Sequence, residues 1–84
     1  MDILRKKILA ESRITDISPE NCKVISRMIF ERDKNYLSET TIKRFFGVII
    51  SANAFSPFVL NSLCHFAGFE NYESFAGLYR IMLQ

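Results

Sequence analysis

Two Ser-Pro pairs limit most sharply what this chain can fold into. Ser18-Pro19 and Ser56-Pro57 each set a small hydroxyl residue directly before a proline. A serine at that point accepts a bond from an unpaired first-turn N–H, and the proline that follows has its φ already set for a first helical turn. Helical spacing of apolar residues follows each pair. After Pro19 come Cys22, Ile25, Met28 and Ile29; after Pro57 come Leu60, Leu63, Cys64 and Ala67. Such spacing gives a helix one face to bury, and no stretch of the chain alternates with the period of two that a half-buried strand requires. The fold class that follows is all-α.

Other signals divide the remainder into three more helices. Asp2 can cap a first helix in which Ile3, Leu4, Ile8 and Leu9 form two neighbouring apolar rows, with Arg5, Lys6 and Lys7 bringing positive charge. Those three cations suit either a solvated helix face or a phosphate backbone. Asn71 caps a last helix in which Phe75, Leu78, Tyr79 and Met82 repeat the core spacing. Asp33-Lys34-Asn35-Tyr36 reads as a connection, with Asn35 the residue most tolerant of a left-handed turn. Ser51 to Phe55 reads as a second loop, and Val48-Ile49-Ile50 before it fits either a last helical turn or an extended buried segment. The spacing thus predicts helices over 3–13, 19–33, 39–47, 57–67 and 72–82. Ile8, Ile25, Ile29, Leu37, Ile42, Phe45, Leu60, Leu63, Phe75 and Leu78 are the expected core.

The third helix is the segment that suggests a function. In Leu37-Ser38-Glu39-Thr40-Thr41-Ile42-Lys43-Arg44-Phe45-Phe46-Gly47, Ser38 is a cap type and Gly47 suits the left-handed residue that ends a helix. Ile42, Phe45 and Phe46 would bury one side, leaving Glu39, Thr40, Lys43 and Arg44 on the other. A short helix that is apolar behind and polar-basic in front suits a DNA major groove. It equally suits an ordinary surface helix whose outer face meets only water.

Composition removes several alternatives. Eighty-four residues make one small domain, and 49% hydrophobic content with eight phenylalanines supplies a core rather than a disordered chain. So many phenylalanines in so short a chain also predict an exposed apolar patch near the last helix, including Tyr79 or Met82, for self-association or a further domain. The net charge of +2 is small, but residues 1–49 carry +3 and residues 50–84 carry −1, which permits a phosphate-facing side. Cys22 and Cys64 stand far apart and His65 is the sole histidine, so neither a metal site nor a cofactor is expected. No paired ligands, glycine-rich phosphate loop or Ser/His/Asp set is present, and no small-molecule substrate is evident, so the chain is not expected to be an enzyme. With no secretory leader and no apolar run long enough to span a bilayer, a cytoplasmic protein with reduced thiols is expected.

From Ser18 to Phe75 the chain resembles the helix-turn-helix domains of the Cro/C1-repressor-like (XRE) class. Leu37-Ser38-x-x-Thr41-Ile42-x-Arg44-Phe45 is similar to the turn and recognition helix of that class. Ser56-Pro57-x-x-Leu60-x-x-Leu63-Cys64-x-Phe66-x-Gly68-Phe69 is similar to its fourth helix and the turn after it. The run Ser38 to Gly47, taken with Leu60, Gly68 and Tyr72-x-x-Phe75, resembles still more closely small domains common in Bacteroidetes proteins. Two features differ from the class: the link into the third helix is longer than the usual tight turn, and Phe46 stands where many members carry Glu.

The resemblance implies a five-helix, transcription-regulator-like domain whose third helix reads double-stranded DNA. In that reading Glu39, Thr40, Lys43 and Arg44 face base edges, Ser38 and the first-turn N–H groups meet a phosphate, and Lys23 makes a further phosphate contact. One such module buries only about 600–1,000 Å² on DNA, so a homodimer or an additional domain is expected. The alternative is a helical adaptor that uses the same fold to bind a protein partner or to tether an effector domain.

Overall fold

The computed structural model describes residues 2–51 and 54–83. Five helices account for its regular structure: α1 (Asp2–Ser12), α2 (Pro19–Asp33), α3 (Glu39–Phe45), α4 (Pro57–Phe66) and α5 (Tyr72–Leu83). Among the described residues there is no strand. The class and element order are those expected, with boundaries shifted by one or two residues.

Capping explains where the helices start. The hydroxyls of Ser18, Ser38 and Ser56 accept from the backbone N–H groups of Asn21, Thr41 and Val59. The Asn71 side chain accepts from Ser74 N–H at 2.8 Å and does the same for α5. Asp2 departs from its expected role: it lies within the first turn of α1, and its carboxylate accepts from the Arg5 guanidinium at 2.9 Å.

Helix ends are closed by left-handed residues. Gly47 and Gly68 have φ of +76° and +102°, and the residue after each donates back into its helix, Val48 to Lys43 and Phe69 to Cys64. After α2 the left-handed residue is Lys34 (φ 62°), where the sequence pointed to Asn35. The bond from Lys34 N–H to the Phe30 carbonyl, 2.9 Å, sets the turn one residue earlier.

Beyond Gly47 the apolar triple is neither a helical turn nor a buried extension. Val48 is half-buried against the core, while Ile50 is 97% exposed. Of the loop expected over Ser51 to Phe55, Ala52 and Asn53 lie outside the described residues.

α4 is the central element, packed on α1, α2 and α5, while α3 rests on α2. Leu4, Ile8, Cys22, Ile25, Ile29, Ile42, Phe45, Leu63 and Cys64 are fully buried, and Leu37, Phe66 and Phe75 nearly so. Two expected core positions differ. Leu60 is only half-buried, and Leu78 is exposed. On α5 the inward line runs through Tyr72, Phe75, Ala76 and Tyr79, which rotates Leu78 and Met82 outward. The expectation of an apolar patch at this helix therefore holds for Met82, whereas Tyr79 packs against the core and stacks on Phe75.

Candidate functional site: the outer face of α3

α3 is seven residues long and gains little from its own length, since a helix so short is marginal in isolation. Packing holds it. Ile42 and Phe45 are fully buried against α2, and Phe45 is boxed edge-on by Phe46 at 5.2 Å and Phe55 at 5.8 Å between ring centres. Arg5 of α1 reaches across and donates its Nε–H to the Phe45 carbonyl at 2.7 Å, satisfying one of the unpaired acceptors at the helix end. The link from α2 to α3 comprises residues 34–38. It is pinned by the Ser26 hydroxyl, which donates to the Leu37 carbonyl.

The expected site residues separate into three groups. Ser38 is committed to the helix itself: its Oγ accepts from Thr41 N–H at 3.1 Å and shares a hydrogen bond with the Thr41 hydroxyl at 2.9 Å. Glu39 and Lys43 form a second group, an i,i+4 ion pair at 2.9 Å, with side chains 40% and 24% exposed. Their hydrogen bond lowers the Glu39 carboxyl pKa below its ordinary value and raises that of the Lys43 ammonium. This pair faces the start of α2, where Lys23 is near enough to favour the Glu39 charge and Glu20 to favour that of Lys43.

Thr40 and Arg44 are the third group, one turn apart and both exposed at the front of α3. Among the described residues, no hydrogen bond or ion pair engages the Arg44 guanidinium. Arg44 also borders an open cavity of about 140 Å³ between α3 and the start of α4, with Thr41, Ser51, Phe55, Ser56 and Val59 around it. Sequence reasoning missed this cavity and the part Thr41 plays in it. The helical position of Thr41, on the flank between the buried and outer faces, is the signal that would have placed it there.

Lys23 is exposed on α2, on the same outward side as Arg27. The structure therefore brings Lys23, Glu39 and Lys43 together at one edge of α3 and leaves Thr40 and Arg44 forward of them. Charge on this edge is mixed rather than uniformly basic.

Other chemistry is sparse. His65 has an acidic neighbour that its sequence surroundings do not show: its Nε2 lies 3.8 Å from Asp33 Oδ1 across the α2–α4 contact. The two cysteines are free thiols, both raised in pKa by burial, Cys64 to about 11. Among the described residues no three His, Cys, Asp or Glu side chains are grouped to hold a metal, and no helix is long and apolar enough to cross a membrane. Neither family models, curated proteins nor solved structures yield a match to the chain.

Proposed function

We propose that the chain is a DNA-binding, transcription-regulator-like unit that inserts the outer face of α3 into the major groove. One observation carries this reading: α3 is locked from behind by Ile42 and Phe45 while Arg44 projects forward, uncommitted among the described residues. Arginine is the best bidentate reader of guanine, because its two parallel N–H donors match O6 and N7. Thr40 beside it suits a thymine methyl or a base-edge acceptor. Lys23, at the edge of the same surface, suits a phosphate.

A second reading has an observation of its own. Lys43 is paired with Glu39, and a carboxylate at the edge of the α3 face repels phosphate. That pairing favours the helical adaptor, in which α3 meets a protein surface of mixed charge.

Selection from a pool of random-sequence duplexes separates the two. The DNA reading expects one sequence to be enriched by the wild-type chain. On that sequence Arg44→Ala is expected to cost about 1–3 kcal/mol and to relax one base position. Lys23→Ala is expected to weaken all sequences alike and to lower the salt slope by about one unit. If no sequence is enriched, and Lys43→Ala/Arg44→Ala binds duplexes as the wild type does, the adaptor reading stands instead.

A further inference from the structure

α5 carries two apolar edges, and the fold uses only one. Tyr72, Phe75, Ala76 and Tyr79 turn inward. The other edge, Ser74, Gly77, Leu78 and Ile81, follows the i, i+3, i+4, i+7 spacing of a helix that packs against another helix. It meets solvent: Leu78 is 45% exposed, Ile81 69% and the neighbouring Met82 58%.

Gly77 in the middle of this helix has no explanation inside the monomer. Its φ is unremarkable, and a Cβ placed there would meet nothing within 4 Å. Glycine is among the poorest helix formers, so its usual purpose at such a point is to let a second backbone come close.

The flank of this edge is charged in a self-complementary way. Glu73 and Arg80, both exposed, lie seven residues apart on the same side of α5. Among the described residues neither is in an ion pair. A second α5 laid antiparallel about a twofold axis keeps each flank facing its own kind, so Glu73 of one helix meets Arg80 of the other, twice. The register that aligns these charges centres the axis between Ala76 and Gly77. It sets Leu78 of each helix level with the hollow between Ser74 and Gly77 of the other.

We propose that this edge of α5 docks on α5 of a second copy of the chain, antiparallel, with Leu78 filling the Ser74–Gly77 hollow and Glu73 paired with Arg80. The inference stands independently of the DNA reading, because no residue of α3 takes part. A helix of twelve residues is only about 18 Å long, shorter than a standard interface needs, so the dimer is expected to be weak, with Kd on the order of 10–100 µM.

Sedimentation equilibrium over a concentration series tests it. The wild-type chain is expected to show a reversible monomer–dimer equilibrium. Ile81→Glu is expected to weaken it at least about tenfold with helix content unchanged, since Ile81 already meets water in the monomer. Gly77→Ala is expected to raise the thermal midpoint of the monomer while weakening the dimer, opposite signs that a purely structural role would not produce. Glu73→Arg and Arg80→Glu are each expected to weaken association by roughly fivefold, and the double reversal to restore it. A strict monomer at about 1 mM, well above the expected Kd, overturns the proposal. So does a dimer indifferent to Ile81→Glu, which would lie on another face, and so does a failure of the double reversal to rescue, which would exclude the antiparallel register.

Discussion

At the scale of single residues, the Glu39–Lys43 pair is where structure changes the meaning of the sequence most. Spacing of four along a helix already makes such a pair favourable, with the acid N-terminal to the base. The structure closes it at 2.9 Å. Glu39 titrates below its ordinary value, chiefly because Lys43 hydrogen-bonds its charged form. Its contribution to folding is therefore present above the unfolded carboxyl value and lost as pH falls through the lower folded one. Lys43 titrates above its ordinary value because of Glu39, so its contribution is present below the unfolded ammonium value and lost as pH rises through the higher folded one. The pair thus supports α3 across the whole neutral range. In a carboxyl NMR titration the Glu39 midpoint is expected below that of an ordinary glutamate and to move up in Lys43→Met. An unmoved midpoint would mean that the pair does not persist in solution.

At the scale of elements, α3 depends on its cap and its core contacts more than on its seven residues. Ser38→Ala removes the acceptor for Thr41 N–H and the bond to the Thr41 hydroxyl, and is expected to cost about 1 kcal/mol of stability in denaturant unfolding. A cost near zero would show that water replaces the cap without loss. This cap, like those at Ser18 and Ser56, was legible in the sequence because its chemistry is local: a hydroxyl, a helix start and an N–H three residues on. Helix positions and most of the core were legible for the same reason. Leu78 was not. Phe75, Leu78, Tyr79 and Met82 satisfy helical spacing along one row, yet Tyr72, Phe75, Ala76 and Tyr79 satisfy it along the adjacent row. Only the packing of α5 on α4 decides between rows about 60–80° apart around the helix. Leu4 and Phe66 were missed as core residues for a related reason: each sits in a helix with more apolar residues than one face can hold. In the candidate site, the outward placement of Thr40 and Arg44 followed from spacing. The commitment of Ser38 to its own helix is that same local cap chemistry, whereas the cavity beside Arg44 depends on contacts between elements that spacing does not encode.

At the scale of the whole molecule, the two surfaces proposed to meet partners are the front of α3 and the outer edge of α5. They differ in chemistry. One is polar, with an uncommitted guanidinium and mixed charge; the other is apolar with a self-complementary charged flank. The mild excess of positive charge lies in residues 1–49, which include α3, and the slight acidic balance lies in residues 50–84, which include α5. Such a division suits a molecule that meets an anionic polymer on one side and its own copy on the other. Each surface has its own readout. The central claim concerns α3, and amide chemical-shift mapping tests it most directly. A short mixed-sequence duplex is titrated into isotope-labelled chain at low salt, where even non-specific contacts of about 10⁻⁴–10⁻⁶ M affinity are populated. The largest shifts are expected at Thr40, Lys43 and Arg44, with smaller ones at Lys23 and none along Leu78–Met82. Shifts confined to other cationic surfaces, with α3 unmoved, would contradict it.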